Sequence, residues 1–172
     1  MNKFWRDLIF FTGFLVGMFL WDFFVSRRLI KIIEEDRKNY KKLKKYYEFF
    51  NYWMYSNQHG VLISQWIKSQ GFKKVIIYGM KEFGMRLYDE LKSNDIDIVC
   101  CIDQNQENII GEYPFIGLND EIPEADIIIV TAIHHFQNIK EDLQKKVKYP
   151  ILSLELVVNC SLGMQKKENN NL

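Results

Sequence analysis

A strand, a glycine turn and a helix follow one another between Lys73 and Gly84, and the turn carries residues suited to binding a phosphate. Gly79 and Gly84 match the first and third glycines of G-x-G-x-x-G, which make the tight turn and let helix and strand pack closely. Lys81 replaces the middle glycine, at which the backbone approaches a pyrophosphate. Its side chain either fills the space of that phosphate or meets the phosphate as a cation. Together with Met80, these turn residues form the predicted cofactor-binding site.

Two further polar residues are predicted to join this site. Asp103 follows an apolar run and lies 19 residues beyond Gly84, about where a dinucleotide-binding fold places the acid that bonds a ribose hydroxyl. A turn aspartate at a strand end would look the same, and the sequence leaves both interpretations open. Thr131 ends the apolar run Ala125–Thr131, and we expect it at the same edge of the sheet.

His134 and His135 are the candidates for acid–base catalysis, because histidine titrates near neutral pH. Alternatively, one of them bonds a backbone group and the other faces water. The sequence shows no nucleophile and no pair of carboxylates beside these histidines, so the catalytic residues stay unknown. Cys100, Cys101 and Cys160 show no metal-ligand spacing, and no metal is predicted. We expect the adjacent pair of cysteines to be buried thiols.

Alternating strand and helix patterns predict the elements that position these residues. Short apolar runs joined by short loops imply right-handed crossovers and a Rossmann-like parallel α/β sheet with helices on both faces. Ligands of such sheets bind beyond the carboxyl ends of the strands, so we expect Gly79–Lys81, Asp103 and Thr131–His135 at one rim. The predicted strands are Val75–Tyr78, Ile96–Ile102, Ala125–Thr131 and Ile151–Leu154, with a short hydrophobic stretch at Tyr113–Gly117, and the predicted helices are Glu82–Ser93 and Gln137–Lys148.

Residues 1–26 predict a transmembrane anchor. The apolar run Leu8–Val25 is 18 residues long with one charge, Asp22, and about 20 residues cross a bilayer as a helix. Trp5 and Trp21 lie near its ends, where indoles favour the interface. No pair of small residues follows as a signal-peptide cleavage site, so we expect a retained single span.

Charge predicts the orientation of this span. Residues 27–45 carry nine basic and three acidic side chains, and positive flanks stay on the cytoplasmic side. We therefore expect a single-pass cell-membrane protein with its C-terminal domain in the cytoplasm. Residues 46–172 carry a net charge of −5, which argues against a nucleic-acid partner. Gly13 and Gly17 either let two spanning helices approach closely or are merely tolerated in the membrane.

Residues 27–72 predict a helical stem followed by a short helix. A row of apolar side chains in the stem has the alternating spacing of three and four that is typical of a helix packed along a partner. The globular domain, another subunit or the membrane surface must cover this face. Gly71 fits the left-handed position that ends the short helix Val61–Gln70. The row consists of Tyr40, Leu43, Tyr47, Phe50 and Met54.

The remaining chain divides into a sheet domain at residues 73–160 and a polar tail at residues 161–172, with a terminal turn at Leu156–Val158. Six stretches carry a recurring family pattern. They are Tyr78–Gly84, Leu87–Leu91, Cys101–Asn105, Gly117–Asp120, Ile129–Ala132 and Pro150–Glu155.

On these stretches, the chain from about Tyr46 onward resembles a Rossmann-like family of bacterial cell-surface polysaccharide biosynthesis. It is similar to the N-terminal nucleotide-sugar-binding domain of bacterial sugar acyltransferases, and such domains also accompany epimerases and glycosyltransferases. The family's turn usually reads Tyr-Gly-Met-Gly or Tyr-Gly-Ala-Gly, so Lys81 is a departure that weakens the case for NAD.

The expected function is therefore a membrane-tethered Rossmann-like module that binds a nucleotide or nucleotide-sugar and, as the resemblance implies, serves surface polysaccharide biosynthesis. NAD(P) and nucleotide-sugars are the ligands considered. The alternative is a non-catalytic scaffold with a degenerate nucleotide site, which forms a homo-oligomer or holds an enzyme of the glycan pathway. A small oxidoreductase or sugar-modifying enzyme using His134 or His135 is a third hypothesis, disfavoured because the chain has no room for a separate substrate domain. Whether the protein is an enzyme stays undecided.

Overall fold

The computed structural model describes residues 3–104, 111 and 113–169. Asn105, the last residue of one family stretch, lies outside them, and so does the side chain of Trp5. A short 3-10 helix, Ile133–His135, precedes α4. The helices are α1 (Lys3–Gln58), α2 (Ile63–Ser69), α3 (Glu82–Ser93), α4 (Phe136–Leu143) and α5 (Leu154–Asn169), and the strands are β1 (Lys74–Tyr78), β2 (Asp97–Ile102), β3 (Phe115–Ile116), β4 (Ile127–Val130) and β5 (Ile151–Ser153).

The five strands form one parallel sheet in the order β3-β2-β1-β4-β5, flanked by helices. All four residues of β4 are buried, as are the last four of β1, which matches the continuous apolar runs of strands covered on both faces. The predicted fold class is confirmed. β1 lies at the centre, and the chain adds β2 and β3 on one side before crossing back to place β4 and β5 on the other.

The chain divides into two compact units, Met1–Glu48 and Phe49–Leu172. In the first unit, the side chains of α1 described between Phe10 and Ile33 include many large, exposed apolar groups. Among the described residues, α1 is the one helix long and apolar enough to cross a membrane. Helix α1 continues without interruption from this apolar segment to Gln58.

In the second unit, the last turns of α1 belong to the core of the sheet domain. Phe49, Trp53 and Ser56 are buried. The ring of Phe83 in α3 lies 5.3 Å from that of Phe49 and 6.3 Å from that of Trp53, measured between centroids. Part of the aromatic surface of the stem is thus covered by the globular domain. Of the predicted row, Phe50 takes part, because its ring stacks on that of Phe83 at 6.1 Å, whereas Tyr40, Leu43 and Tyr47 are exposed.

Helix α2 ends as predicted at Gly71. This glycine has a φ of +79°, its N–H donates to the carbonyl of Lys68, and the N–H of Phe72 donates to the carbonyl of Ile67. These two bonds form a Schellman motif, which satisfies carbonyl groups that the helix itself leaves unpaired.

Helix α5 is longer than the turn that sequence analysis places at Leu156–Val158. The hydroxyl of Ser153 accepts a hydrogen bond from the N–H of Leu156 over 3.2 Å, which caps the first turn of the helix. Leu154, Val157, Val158 and Ser161 recur on one buried face, and the helix packs against α2. This burial explains why the chain stays helical beyond the predicted turn.

Candidate functional site

The carboxyl ends of three adjacent strands gather the predicted site residues at one edge of the sheet. Tyr78, the last residue of β1, pairs with Ile102 of β2 on one side and Val130 of β4 on the other. The residues that follow these strands, Gly79, Asp103 and Thr131, are therefore neighbours. The direction of the strand order reverses between β1 and β4, which is the switch point where ligands of open α/β sheets bind.

Both the backbone conformation at position 79 and the atoms around it require a glycine there. Its φ of +92° lies in the left-handed region, and a Cβ added there would lie 2.7 Å from the hydroxyl oxygen of Thr131. That hydroxyl donates to the carbonyl of Gly79 over 2.5 Å. A side chain of β4 thus holds the turn that follows β1, directly across the switch point.

Gly84 lets α3 approach the turn closely. A Cβ at this position would overlap the carbonyl oxygen of Gly79, and it would lie 3.2 Å from the sulfur of Met80. This contact is the packing role of the third glycine in the dinucleotide-binding pattern. The two glycines found from the sequence therefore have the structural roles that the pattern assigns to them.

Asp103 holds the turn from the opposite side. Its Oδ2 accepts a hydrogen bond of 2.6 Å from the N–H of Met80, and the residue is only 8% exposed. The side chain of Met80 is fully buried. Asp103 therefore binds the backbone of the turn, whatever other partner its carboxylate has.

Lys81 is exposed and stands at the start of α3. A lysine side chain has no acceptor oxygen, and it makes no capping bond to the first turn of this 12-residue helix. Helix N-termini carry unpaired N–H groups and a partial positive charge, which favour anions. The ammonium group of Lys81 adds a full positive charge at the same place, while Glu82 in the first turn opposes it.

The two histidines lie on the 3-10 helix that follows Thr131. His134 is half-buried and His135 is exposed. Within residues 3–104, 111 and 113–169, no three His, Cys, Asp or Glu side chains are grouped as metal ligands. The structure thus places both histidines at the rim without assigning either of them a chemical task.

Sequence analysis missed Tyr78 as a member of this rim. Burial raises the pKa of its phenol, a hydrogen bond with the Gln104 side chain opposes that rise, and the nearby Asp103 charge adds to it. The phenol therefore stays protonated at neutral pH. Its place directly before Gly79 was the available signal, but the apolar pattern of β1 marked it only as a core residue.

The adjacent cysteines of β2 take no part in this chemistry. Burial raises the pKa of Cys100 to about 11, and burial with the neighbouring Cys100 raises that of Cys101 to about 12. Since the thiolate is the reactive form, both thiols are inert at neutral pH. This agrees with the expectation of buried thiols.

Comparison with known proteins gives one family. The family described as C2185-like, N-terminal, matches residues 71–151. The match extends from the end of α2 to the first residue of β5 and includes every residue of the rim described above. No curated protein and no solved structure matches the chain.

Proposed function

We propose that the sheet domain binds a nucleotide or nucleotide-sugar at the rim between β1 and β4. The observation that carries the proposal is the coincidence of an uncapped helix N-terminus, an exposed lysine and a glycine turn at the switch point of a parallel sheet. Each of these features favours a phosphate group on its own. Together they favour binding of the pyrophosphate of a nucleotide over binding of a neutral metabolite.

Asp103 is suited to bind the ribose of such a ligand. A carboxylate can accept more than one hydrogen bond on its two oxygens, and the N–H of Met80 donates to Oδ2 of Asp103. A ribose hydroxyl that donates to the same carboxylate would lie beside the turn that holds the phosphates. One carboxylate would then both fix the turn and select a nucleoside.

The long apolar helix suggests where this binding takes place. With nine basic side chains in residues 27–45, the positive-inside rule places the second unit in the cytoplasm and the apolar segment in the cell membrane. Together with the family resemblance, this supports an accessory role in bacterial surface polysaccharide biosynthesis.

A non-catalytic scaffold is the second candidate, and one specific observation favours it. Met80 is fully buried, and its N–H is already bonded to Asp103, so part of the turn's backbone is engaged by the protein itself. A turn closed in this way would have kept its structural role after losing its ligand. The stem would then serve only to assemble partners.

Isothermal titration calorimetry of the full chain in lipid nanodiscs tests these candidates. UDP, UDP-sugars, NAD and NADP are titrated into the wild-type protein, Lys81→Ala and Lys45→Ala. If Lys81 contacts a phosphate, its loss should weaken binding about tenfold to a hundredfold, the range of one charge-assisted hydrogen bond. Lys45→Ala controls for the general effect of removing a positive charge.

Each outcome separates the candidates. Nucleotide binding that depends on Lys81 supports the proposal, and absence of binding to all four ligand classes supports the scaffold. Lys81→Gly restores the middle glycine of the pattern and distinguishes the two roles of the lysine. If this variant gains NAD binding, the lysine blocks the turn, and if it loses UDP-sugar binding, the lysine is a phosphate contact.

A further inference from the structure

Three basic side chains share one face of α1 directly after the apolar run Leu8–Val25. Arg27, Arg28 and Lys31 are exposed, and at about 100° per residue they fall within an arc of roughly 100°. Within the part of the chain that the structure describes, none of the three forms an ion pair. This basic face therefore carries three positive charges without a counter-ion from the protein itself.

The opposite side of the same two turns is apolar. Four large aliphatic side chains lie there across an arc of about 160°, and each of them is between 48% and 63% exposed. Asp22, the one charge of the apolar run, falls on this side too, about 140° from Arg27. A helical segment with one basic and one apolar side favours the boundary between acyl chains and headgroups. The four side chains are Leu29, Ile30, Ile32 and Ile33.

The height of the basic face matches that of lipid headgroups. If the apolar run fills the hydrocarbon core as far as Val25, a rise of about 1.5 Å per residue puts Arg27 about 3 Å, Arg28 about 5 Å and Lys31 about 9 Å beyond the edge of the core. The headgroup layer extends about 5–8 Å beyond that edge. The acidic residues 34–36 begin only at about 14 Å. The basic side chains thus lie beside the lipid phosphates, and the acidic ones lie farther out.

An aromatic ring helps to hold Arg27 at this height. The central carbon of its guanidinium lies 4.4 Å from the centroid of the Phe23 ring, one turn back along the helix. The attraction between cation and ring keeps this charge at the end of the apolar run. Guanidinium groups bind phosphate oxygens through two parallel N–H bonds, while an ammonium group acts as a point charge. The basic face therefore has the chemistry of a phosphate site.

We propose that the basic face binds the headgroups of anionic phospholipids in the membrane that α1 crosses. The inference rests on the proposed membrane insertion and does not depend on a nucleotide. Charge selects the occupant, because one basic residue beside an anionic bilayer strengthens attachment about fivefold, whereas a zwitterionic headgroup has no net charge to offer. Basic residues from Lys38 onward lie about 20 Å or more beyond the core. They are farther above the headgroups than the screening length of about 8 Å.

Quenching of Trp21 fluorescence by brominated lipids tests the site in the full chain. Trp21 is 71% exposed and lies on the basic side of α1, about two turns before Arg28, so it reports which lipids gather there. A Trp5→Phe background removes the other indole of the first unit, and Trp53 and Trp66 are buried in the second. Vesicles contain equal parts of phosphatidylcholine and phosphatidylglycerol, with bromine on the acyl chains of only one of them. We expect a preference of about fivefold or more for phosphatidylglycerol, which decreases as the salt concentration rises.

Two triple variants with the same loss of charge locate the site. The near variant replaces all three side chains of the basic face by glutamine and should reduce the preference to about one, since the charges that attract the lipid are gone. The far variant replaces three exposed lysines on the same side of the helix, about 20–26 Å beyond Val25, and should keep the preference. Glutamine preserves the helix, and both sets lie in the first unit. The far variant is Lys38→Gln, Lys41→Gln and Lys42→Gln.

The outcomes separate the lipid site from the membrane span. Loss of the preference in the near variant alone supports the site. Equal quenching by the two lipids in the wild type, or equal losses in both variants, would overturn it. A lack of any Trp21 quenching in vesicles made wholly of brominated phosphatidylcholine would refute the span and the site together. Quenching there without a lipid preference in the mixed vesicles would refute the site alone.

Discussion

The N–H of Met80 donates to Oδ2 of Asp103 over 2.6 Å, so the acid that follows β2 fixes the turn that follows β1. This bond joins the two parts of the candidate site before any ligand binds. It is also buried, and buried polar groups are costly to leave unpaired.

Replacement of Asp103 should therefore lower the stability of the fold, by an amount that depends on whether the new side chain can still accept the hydrogen bond from the N–H of Met80. Asp103→Ala leaves the N–H of Met80 without this acceptor and should lower the free energy of unfolding by about 1–3 kcal/mol. Asp103→Asn keeps an acceptor oxygen and should lose clearly less. Urea unfolding of the full chain, followed by tryptophan fluorescence, measures both. Equal losses in the two variants would show that the charge, and not the hydrogen bond, stabilises the turn.

Gly84→Ala should destabilise the fold although the residue lies in a helix. A methyl group at this position would overlap the carbonyl of Gly79, and relieving such a contact typically costs about 1–3 kcal/mol. Gly163→Ala is the matched control, because it is also helical and a Cβ there meets no atom within 4 Å. It should be neutral or stabilise by up to about 1 kcal/mol. Opposite signs of the two changes in thermal unfolding would support the close approach of α3 to the turn, and equal signs would contradict it.

Phe83→Ala should be among the most damaging substitutions in the sheet domain. Its ring contacts those of Phe49, Phe50 and Trp53, and truncation of a buried phenylalanine costs about 3–5 kcal/mol. Tyr55→Ala, at an exposed position on α1, serves as the control and should change stability little. A small effect of Phe83→Ala on the denaturation midpoint would mean that the end of α1 does not belong to the domain core.

Glu90 should give the domain a characteristic pH dependence. Burial raises the pKa of its carboxyl above the usual 4.5, although hydrogen bonds from the Ser64 N–H and the Asn57 side chain oppose the rise. Since the folded state holds this proton more tightly than the unfolded state, ionised Glu90 destabilises the fold at neutral pH. Stability should therefore increase as the pH falls from neutral through the raised pKa towards 4.5.

Two substitutions isolate this effect. Glu90→Gln should remove that part of the pH dependence and be at least as stable as the wild type at pH 7. Glu90→Ala should be less stable than Glu90→Gln by about 1–3 kcal/mol, because the N–H of Ser64 loses its acceptor. Denaturant midpoints measured between pH 4.5 and 7.5 give the comparison, and identical pH profiles for wild type and Glu90→Gln would contradict the assignment.

The sequence predicted the parts of the fold that depend on local patterns. Apolar runs located the long strands, and Gly71 located the end of α2, because the left-handed conformation that ends a helix is nearly specific to glycine. The meeting of Gly79, Asp103 and Thr131 was also predictable, since parallel strands in sequence order bring their carboxyl ends to one edge.

Contacts between distant segments could not be predicted in this way. Heptad spacing selected the row Tyr40, Leu43, Tyr47, Phe50 and Met54 as the packed face of the stem. Phe50 does pack on Phe83, but the side chains that the domain buries are Phe49 and Trp53, because their partner Phe83 lies some 30 residues away in the sequence. The bond from Met80 to Asp103 was hidden for the same reason. Helix α5 had a local signal in the cap at Ser153, but its length depends on packing against α2.

The two outer strands of the sheet, β3 and β5, are only two and three residues long. Unpaired strand edges are templates for aggregation, and very short ones offer too few backbone groups to recruit another chain. The sheet domain therefore offers a neighbouring molecule little backbone to extend, which limits accidental association through its edges.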